Sequence, residues 1–505
     1  MAAPVGLPAT TTAARYERHR PERTALYEVV RDNLDTLYGA IDDGALDIKI
    51  PAHARKELDA YLDCGLLCRG FARLRCEACA ETHLVAFSCK GRGFCPSCLG
   101  RRMCQTAANL VEHVLPEAAL RQWVLTFPFA WRKRLAQDGA LLSALTRIFV
   151  DTVQAFYVSR AAAPGAKTGA ITVVQRTSSD LRLNPHLHVV FLDGAYAERG
   201  AELVWESLPH LKTSHVGEVL ERAVARMTRH LRRGGVLDAS DSDADPEGNL
   251  AASVVSGQIP PAGPQWKRGL APLRGAPLGD DKPLCASLDG CTPLRSVDLR
   301  GLRRLRPLRF TLHAATRAGA LDAPGREALL RYVLRPPIAQ RRLEPRPDGL
   351  VRITLKRPFS DGTTAVDMDP LSLLSRLAAS VPPPRFHTVK HAGVLAPAST
   401  RRARIAPKPA GVATVEPQKD KKPKGAATYR PWADLLRRTF AIDVLVCPKC
   451  AGRMQLLAVV TKEESVVRFL RSRGELDEVP ARTKSRGPPY WKSTVLRRGA
   501  ANDGE

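Results

Sequence analysis

The sequence predicts an α+β protein, with helices flanking a sheet of short buried strands and a small cysteine-rich zinc-binding domain ahead of it. Three observations carry that reading. Eight of the twelve cysteines lie between Cys64 and Cys104. Short runs rich in Val, Ile and Phe alternate with segments whose apolar residues recur every three or four positions. Finally, 77 Lys and Arg stand against 51 Asp and Glu, a formal charge of +26. A surplus of that size asks for a polyanionic partner, with nucleic acid the first expectation and an anionic membrane the second.

The elements follow in order. Residues 1–25 are expected to be disordered. From Leu26 to Tyr61 the chain reads as helical, with Val29, Leu34, Leu37 and Ile41 at helical spacing in "LYEVVRDNLDTLYGAI". The cysteine block follows, and the helical period returns from Thr106 to Leu115, where Pro116 interrupts it. Residues 26–115 therefore form a helical and zinc-binding domain. "QWVLTFPF", "GAITVVQR" and "HLHVVFLDG" read as buried strands and "GEVLERAVARMTRHLRR" as an amphipathic helix. These place the first part of a central domain at 116–237. The acidic run "DASDSDADPEGN" and the Pro/Gly-rich stretch after it mark an insertion or loop over 238–294. The second part, 295–399, holds a helix in "GREALLRYVL", stopped by Pro336-Pro337, and a strand in "GLVRITLKRPF". A basic linker at 400–430, a small C-terminal unit with a Cys-x2-Cys pair at 431–475 and a loose tail at 476–505 complete the chain.

Several classes drop out. No run of about 18 apolar residues offers a membrane span. The opening residues lack a basic region followed by an apolar one, so a cytoplasmic, reducing location is expected. The cysteines are then thiols or metal ligands before they are disulfides. The absence of a Gly-x-x-x-x-Gly-Lys-Ser/Thr loop leaves no sign of a nucleotide cofactor.

Cys76-x2-Cys79 and Cys95-x2-Cys98 are fifteen residues apart, the spacing of two knuckles holding one structural Zn²⁺. Cys64, Cys68, His83 and Cys89 are left over, and Cys64 and Cys89 are the further candidates for zinc. Cys104 reads as a buried structural thiol. Cys447-x2-Cys450 is a lone knuckle that needs two more ligands from elsewhere, while Cys285 and Cys291 are not expected to be ligands. Lys90, Arg92, Arg101 and Arg102 crowd the block, and a zinc-stiffened cationic surface can hold phosphates. Solvated arginines around a folding staple are the plainer alternative.

His186 and His188 stand two apart on an apolar strand, so their side chains share a face and can grip one metal ion while Leu187 points into the core. Two histidines satisfied by neighbours are the alternative. Tyr332 falls in the last turn of a helix between Arg331 and Arg335. A phenol that cuts DNA needs a polarised phosphate and nearby positive charge, because its ordinary pKa near 10 makes it a weak nucleophile. Taken alone, Tyr332 would also fit an amphipathic core.

Together these pieces resemble the rolling-circle transposases of the insertion-sequence-ninety-one type, including the single-tyrosine common-region elements. The matching stretches are "RGFARLRCEACAETHLVAFSCKGRGFCPSC", "RQWVLTFPFA", "NPHLHVVFLDG", "RYVLRPPIAQRRL", "DGTT" at Asp361 to Thr364 and "VLVCPKCAGRM", in the family's order. The resemblance implies a His-hydrophobic-His endonuclease core, an antiparallel sheet with flanking helices, so that 116–237 and 295–399 form a catalytic nuclease domain. His186 and His188 would bind Mg²⁺ or Mn²⁺, with Gln175 on the preceding strand as third ligand and His313 a weaker choice. Tyr332 would form a 5′-phosphotyrosine link at an element end, single-stranded or hairpin, and pass the strand to target DNA. Arg331 and Arg335 would contact that DNA. Where relatives carry two tyrosines four apart, this chain has Ala328 and Pro336 around Tyr332. Where relatives often have Tyr-His, it has Lys390-His391. A replication initiator or relaxase with the same chemistry, and a zinc-dependent DNA-binding regulator without catalysis, are the competing readings.

Overall fold

A computed structural model describes residues 19–208, 210–236, 285–287, 310–356, 358–359, 361–407, 432–440 and 443–491. The helices are α1 (Ala25–Asp42), α2 (Ala52–Tyr61), α3 (Pro96–His113), α4 (Arg132–Gln137), α5 (Gly139–Val158), α6 (Thr213–Arg233), α7 (Ala323–Leu334), α8 (Pro370–Ser380), α9 (Arg402–Ile405), α10 (Trp432–Phe440) and α11 (Glu463–Arg471). The strands are β1 (Phe71–Cys76), β2 (Thr82–Ala86), β3 (Leu120–Thr126), β4 (Gly169–Thr177), β5 (Leu183–Leu192), β6 (Gly194–Arg199), β7 (Glu202–Ser207), β8 (Cys285–Ser287), β9 (Thr311–His313), β10 (Arg317–Ala318), β11 (Leu343–Pro345), β12 (Val351–Thr354), β13 (Ala365–Met368), β14 (Val389–Gly393) and β15 (Met454–Val460).

A seven-stranded sheet in the order β14-β4-β5-β3-β9-β8, with β10 also on β3, forms the centre. Every pairing within it is antiparallel. Alternation along the strands divides its two faces. Trp123, Leu125, Val174, Leu187, Val189 and Phe191 pack against α5 and α6. Ile171, Val173, Val190 and Leu192 face Leu329, Leu330 and Val333 of α7 and Ala107 and Leu110 of α3. A buried carboxylate pins the end of β5: Asp193 accepts from Arg121 at 2.8 and 3.0 Å, from Arg317 at 2.7 Å and from the Tyr157 hydroxyl at 3.1 Å. Helix α5 is long and apolar enough to cross a membrane by length and composition. Here its apolar side is a wall of the core, and it carries Arg147 and Asp151.

The rest of the chain does not follow the expected domain limits. Residues 343–381, expected to continue the central domain, instead pack β11–β13 and α8 onto α1 and α2 in one apolar cluster that includes Cys64, Cys95 and Cys98. Contact there is close: a Cβ on Gly93 would lie 2.7 Å from the Val381 Cα. The C-terminal unit is not separate either. β15 pairs with β1, which pairs with β2, all antiparallel, and Val466 and Leu470 of α11 share a core with Leu67 and Phe71. The expected loose tail is packed as far as Trp491. Arg482 bonds Asp59 at 2.9 Å, Arg486 donates to Asn33 at 3.0 Å, and Tyr490 and Trp491 are buried against the α1 cluster. Amphipathic helices α1 and α11 could not show their partners in a local pattern, because those partners lie hundreds of residues away. Residues 1–18, most of the 238–294 insertion and residues 408–430 of the basic linker lie outside the described residues.

Candidate active site and metal centres

The site begins with strand register. His186 pairs with Thr126 on β3 and with Gln175 on β4, and His188 pairs with Val124 and Val173. Directly paired residues share a face, so both imidazoles and Gln175 stand on the side covered by α7. The imidazole centroids are 4.9 Å apart. Tyr332, in the last turn of α7, meets His188 edge-on with centroids 6.2 Å apart. The Arg335 guanidinium lies over the Tyr332 ring at 4.1 Å. The three residues singled out for chemistry therefore converge although about 144 positions separate His188 from Tyr332.

Hydrogen bonds set the imidazoles' orientation. Nδ1 of His186 lies 2.7 Å from the Asn184 carbonyl and donates to it, which leaves Nε2 bare. The Gln122 side-chain nitrogen lies 2.5 Å from Nδ1 of His188 and, in this amide orientation, donates to it. Turning that amide over, so that its oxygen faces the ring, makes Nδ1 the donor and gives Nε2 the lone pair a metal needs. That His188 Nε2 is buried with no hydrogen-bond partner among the described residues. Burial holds His186 down to about 4, with Arg335 and Arg132 adding to it against the Asn184 carbonyl. Burial, then His186 and Arg335, hold His188 well below the usual imidazole range. Both rings are neutral at pH 7, the form that binds metal.

The donors fit a hard divalent ion. Gln175 donates its amide nitrogen to the Val333 carbonyl at 2.7 Å. Asn184, two residues before His186 and on the same face, has a buried side-chain oxygen with no partner among the described residues. Sequence reading passed over Asn184, although the alternation in "NPHLH" places it in line with both histidines. His313 pairs with Val124 on the far side of β3.

Beside this group opens a cleft of about 700 Å³. Arg92, Arg102, Arg176, Arg335, Lys356 and Arg385 line it, together with His186, Gln175 and Asn184, and its lining includes no carboxylate among the described residues. Arg92, Arg102 and Arg335 were expected at the DNA, whereas the other three come from segments without a motif. The remaining expected contacts are elsewhere. Arg331 is paired with Glu327 at 2.6 Å, Arg101 points a guanidinium nitrogen at Cys98 Sγ at 3.8 Å, and Lys90 is exposed outside the cleft lining.

The cysteines form two clusters, and not as the spacing predicts. Cys95 and Cys98, at the start of α3, join Cys64 and Cys89. Cys76 and Cys79, at the end of β1, join Cys447 and Cys450. In each set the four sulfurs lie within 4.8 Å of one another, close to the roughly 3.8 Å edge of a tetrahedron with Zn–S bonds near 2.3 Å. The expected single site fails because the β1–β2 hairpin carries the first knuckle away from α3. Pairing of β15 with β1 then brings the distant knuckle to it, Cys76 facing Met454. Cys104 is buried and points its thiol at the Arg438 carbonyl, as a structural thiol would.

Residues 40–127 match the family model described as "Transposase zinc-binding domain", and residues 169–404 match the one described as "Putative transposase". The chain belongs to the insertion-sequence-ninety-one family of transposases. The first match contains the whole Cys64, Cys89, Cys95 and Cys98 cluster, and the second contains the His pair and Tyr332. This transposase therefore has a zinc-binding domain with a structural Zn²⁺ site, and its family cuts and transfers DNA strands. Comparison with curated proteins and with solved structures gives no match.

Proposed function

We propose that this transposase nicks single-stranded DNA at its element's ends through Tyr332 and carries the cut strand as a 5′-phosphotyrosine. The convergence of Tyr332 with His186 and His188 on one face of an antiparallel sheet, beside a cleft lined by cations, carries the reading. It fits a His-hydrophobic-His endonuclease core. His186 and His188, with Gln175 or Asn184, would hold Mg²⁺ or Mn²⁺, which when bound polarises the scissile phosphate and offsets its growing charge.

The chain's own groups do the rest. Arg92, Arg102 and Arg385 bind phosphates along the cleft, which orients the strand. Arg335, stacked on the phenol, fixes the ring and adds positive charge where the phenolate forms. Tyr332 Oη attacks phosphorus. The Oη–P bond forms, the P–O3′ bond breaks, the phenolic proton passes to solvent, and the departing O3′ oxyanion takes a proton from solvent to leave as the 3′-hydroxyl. Transfer reverses the exchange: a 3′-hydroxyl of target DNA attacks the phosphotyrosine and Tyr332 is regenerated. One phosphodiester is traded for another, so the reaction needs no nucleotide cofactor.

The test uses the full-length protein, Mn²⁺ and labelled single strands copied from the DNA bordering the gene. A covalent protein–DNA adduct on a denaturing gel is expected. Tyr332→Phe should abolish it and leave strand binding intact. An adduct that survives this change rejects the nucleophile, and binding without any adduct in the parent protein favours the regulator reading.

A further inference from the structure

We infer that Cys76, Cys79, Cys447 and Cys450 hold a second zinc ion, which fastens the C-terminal segment to the zinc-binding domain. Two of these ligands lie far beyond residues 40–127, the stretch matched as the zinc-binding domain. The sulfurs approach across the two knuckles at 3.5 Å (Cys76 to Cys450), 3.6 Å (Cys79 to Cys447) and 3.4 Å (Cys79 to Cys450). Between 368 and 374 positions separate these partners in sequence.

The backbone of both loops is built alike. The Ala80 N–H donates to the Cys76 carbonyl at 3.1 Å, and the Ala451 N–H to the Cys447 carbonyl at 2.8 Å. The Cys76 N–H donates to the Glu81 carbonyl and the Cys447 N–H to the Gly452 carbonyl, both at 2.8 Å. The residue after the second cysteine is left-handed in each loop, Ala80 with φ 59° and Ala451 with φ 57°. Alanine resists that conformation, so something must repay it twice in the same place. Lys90, directly after Cys89 in the other cluster, has φ 57° as well. Gly452 is the close-approach residue: a Cβ there would lie 3.1 Å from Cys450 Sγ and 3.2 Å from Cys76 Sγ. Two matched loops thus aim four sulfurs at one point, and Arg75, Lys449 and Arg453 adjoin the ligands with positive charge to offset four thiolates.

The position gives the ion its role. Cys76 ends β1 and Met454 opens β15, so the site closes the mouth of the β1–β15 pairing. The same segment supports α3: α10 packs there through Arg438, which bonds Glu112 at 3.3 Å and receives the Cys104 thiol. Helix α3 in turn supplies Arg102 to the cleft. The second ion therefore ties the end of the chain to the helix that shapes the DNA path.

Metal content and thiol footprinting of the intact protein test this. Two zinc ions per chain are expected, falling to one in Cys447→Ser/Cys450→Ser and also in Cys76→Ser/Cys79→Ser. Brief native alkylation followed by peptide mass spectrometry needs no variant. Cys450 is exposed, so an unliganded thiol there reacts at once, whereas a zinc-bound one should react roughly tenfold more slowly until a chelator is added. Cys76, Cys79 and Cys447 should be released together with it. One zinc per chain in the parent protein, two in the Cys447/Cys450 variant, or a Cys450 that alkylates equally fast with and without chelator overturns the inference.

Discussion

The cation-lined cleft makes a quantitative prediction about strand binding. Six positive side chains line it, namely Arg92, Arg102, Arg176, Arg335, Lys356 and Arg385. For single-stranded DNA the logarithm of affinity falls with the logarithm of salt by about 0.7 per phosphate neutralised, so six contacts give a slope of about −4. Arg176 is held by the Ala379 and Ala136 carbonyls at 3.2 and 2.9 Å. If it reaches no phosphate, the slope is about −3.5. Between roughly 50 and 200 mM salt the steeper value costs about 300-fold in affinity. Arg102 and Arg385 are both exposed. Replacing both by Ala should lower the slope to about −3 and the loss over the same range to about 50-fold. Fluorescence anisotropy with a labelled single strand at several salt concentrations reads this directly. A parent slope shallower than about −2, or a double variant that keeps the parent slope, refutes the assignment of the cleft as the strand path.

Three further outcomes can be checked. Lys356 is pushed down to about 8, by burial first and then by Arg335, Arg342 and Arg341; strand affinity should fall as pH rises through that value, because the neutral amine has no attraction for phosphate. Lys356 lies at the rim of the cleft, crowded by neighbouring atoms yet open to solvent along part of its length, so screening should keep the fall between pH 7 and 9 to at most about tenfold, and Lys356→Met should remove it. Asp193→Ala strips the buried Arg121 and the nearby Arg317 of their carboxylate, and urea unfolding should show a loss of about 3–5 kcal/mol. His186→Ala with His188→Ala should abolish Mn²⁺ binding by calorimetry while both cysteine clusters keep their zinc, because the sites share no ligand.

Much of the central sheet was legible because its signals are local. "GAITVVQR" and "HLHVVFLDG" became β4 and β5, and period-two alternation correctly put His186 and His188 on one face and Leu187 in the core. Tyr332 was placed by the helix that Pro336-Pro337 terminates. The failed readings of the zinc ligands and of the domain limits concern long-range pairing. The spacing of Cys76, Cys79, Cys95 and Cys98 resembles one site, but ligand choice depends on which strand lies beside β1, and β15 is nearly four hundred residues away. Arg385 and Lys356 reach the cleft only because α8 and the β11–β13 sheet fold back onto the N-terminal helices, which no local period encodes.

The same face logic bears on the positions where this chain departs from its relatives. Lys390 and His391 are neighbours on β14, so they point to opposite sides of the sheet. Lys390 donates to the Ser143 hydroxyl of α5 at 2.8 Å, on the face away from Tyr332. His391 lines the cleft. A tyrosine in place of Lys390 would therefore meet α5 and not the face that carries His186, His188 and Tyr332, so on the proposed mechanism the departure removes no nucleophile. Around Tyr332, Ala328 lies one turn back on α7 and Pro336 lies beyond its end. Among the described residues Tyr332 is the one phenol that meets the His pair, so on the proposed mechanism each chain would link one DNA end at a time. Two linked ends would then require either two chains or release of the first strand before the second is cut.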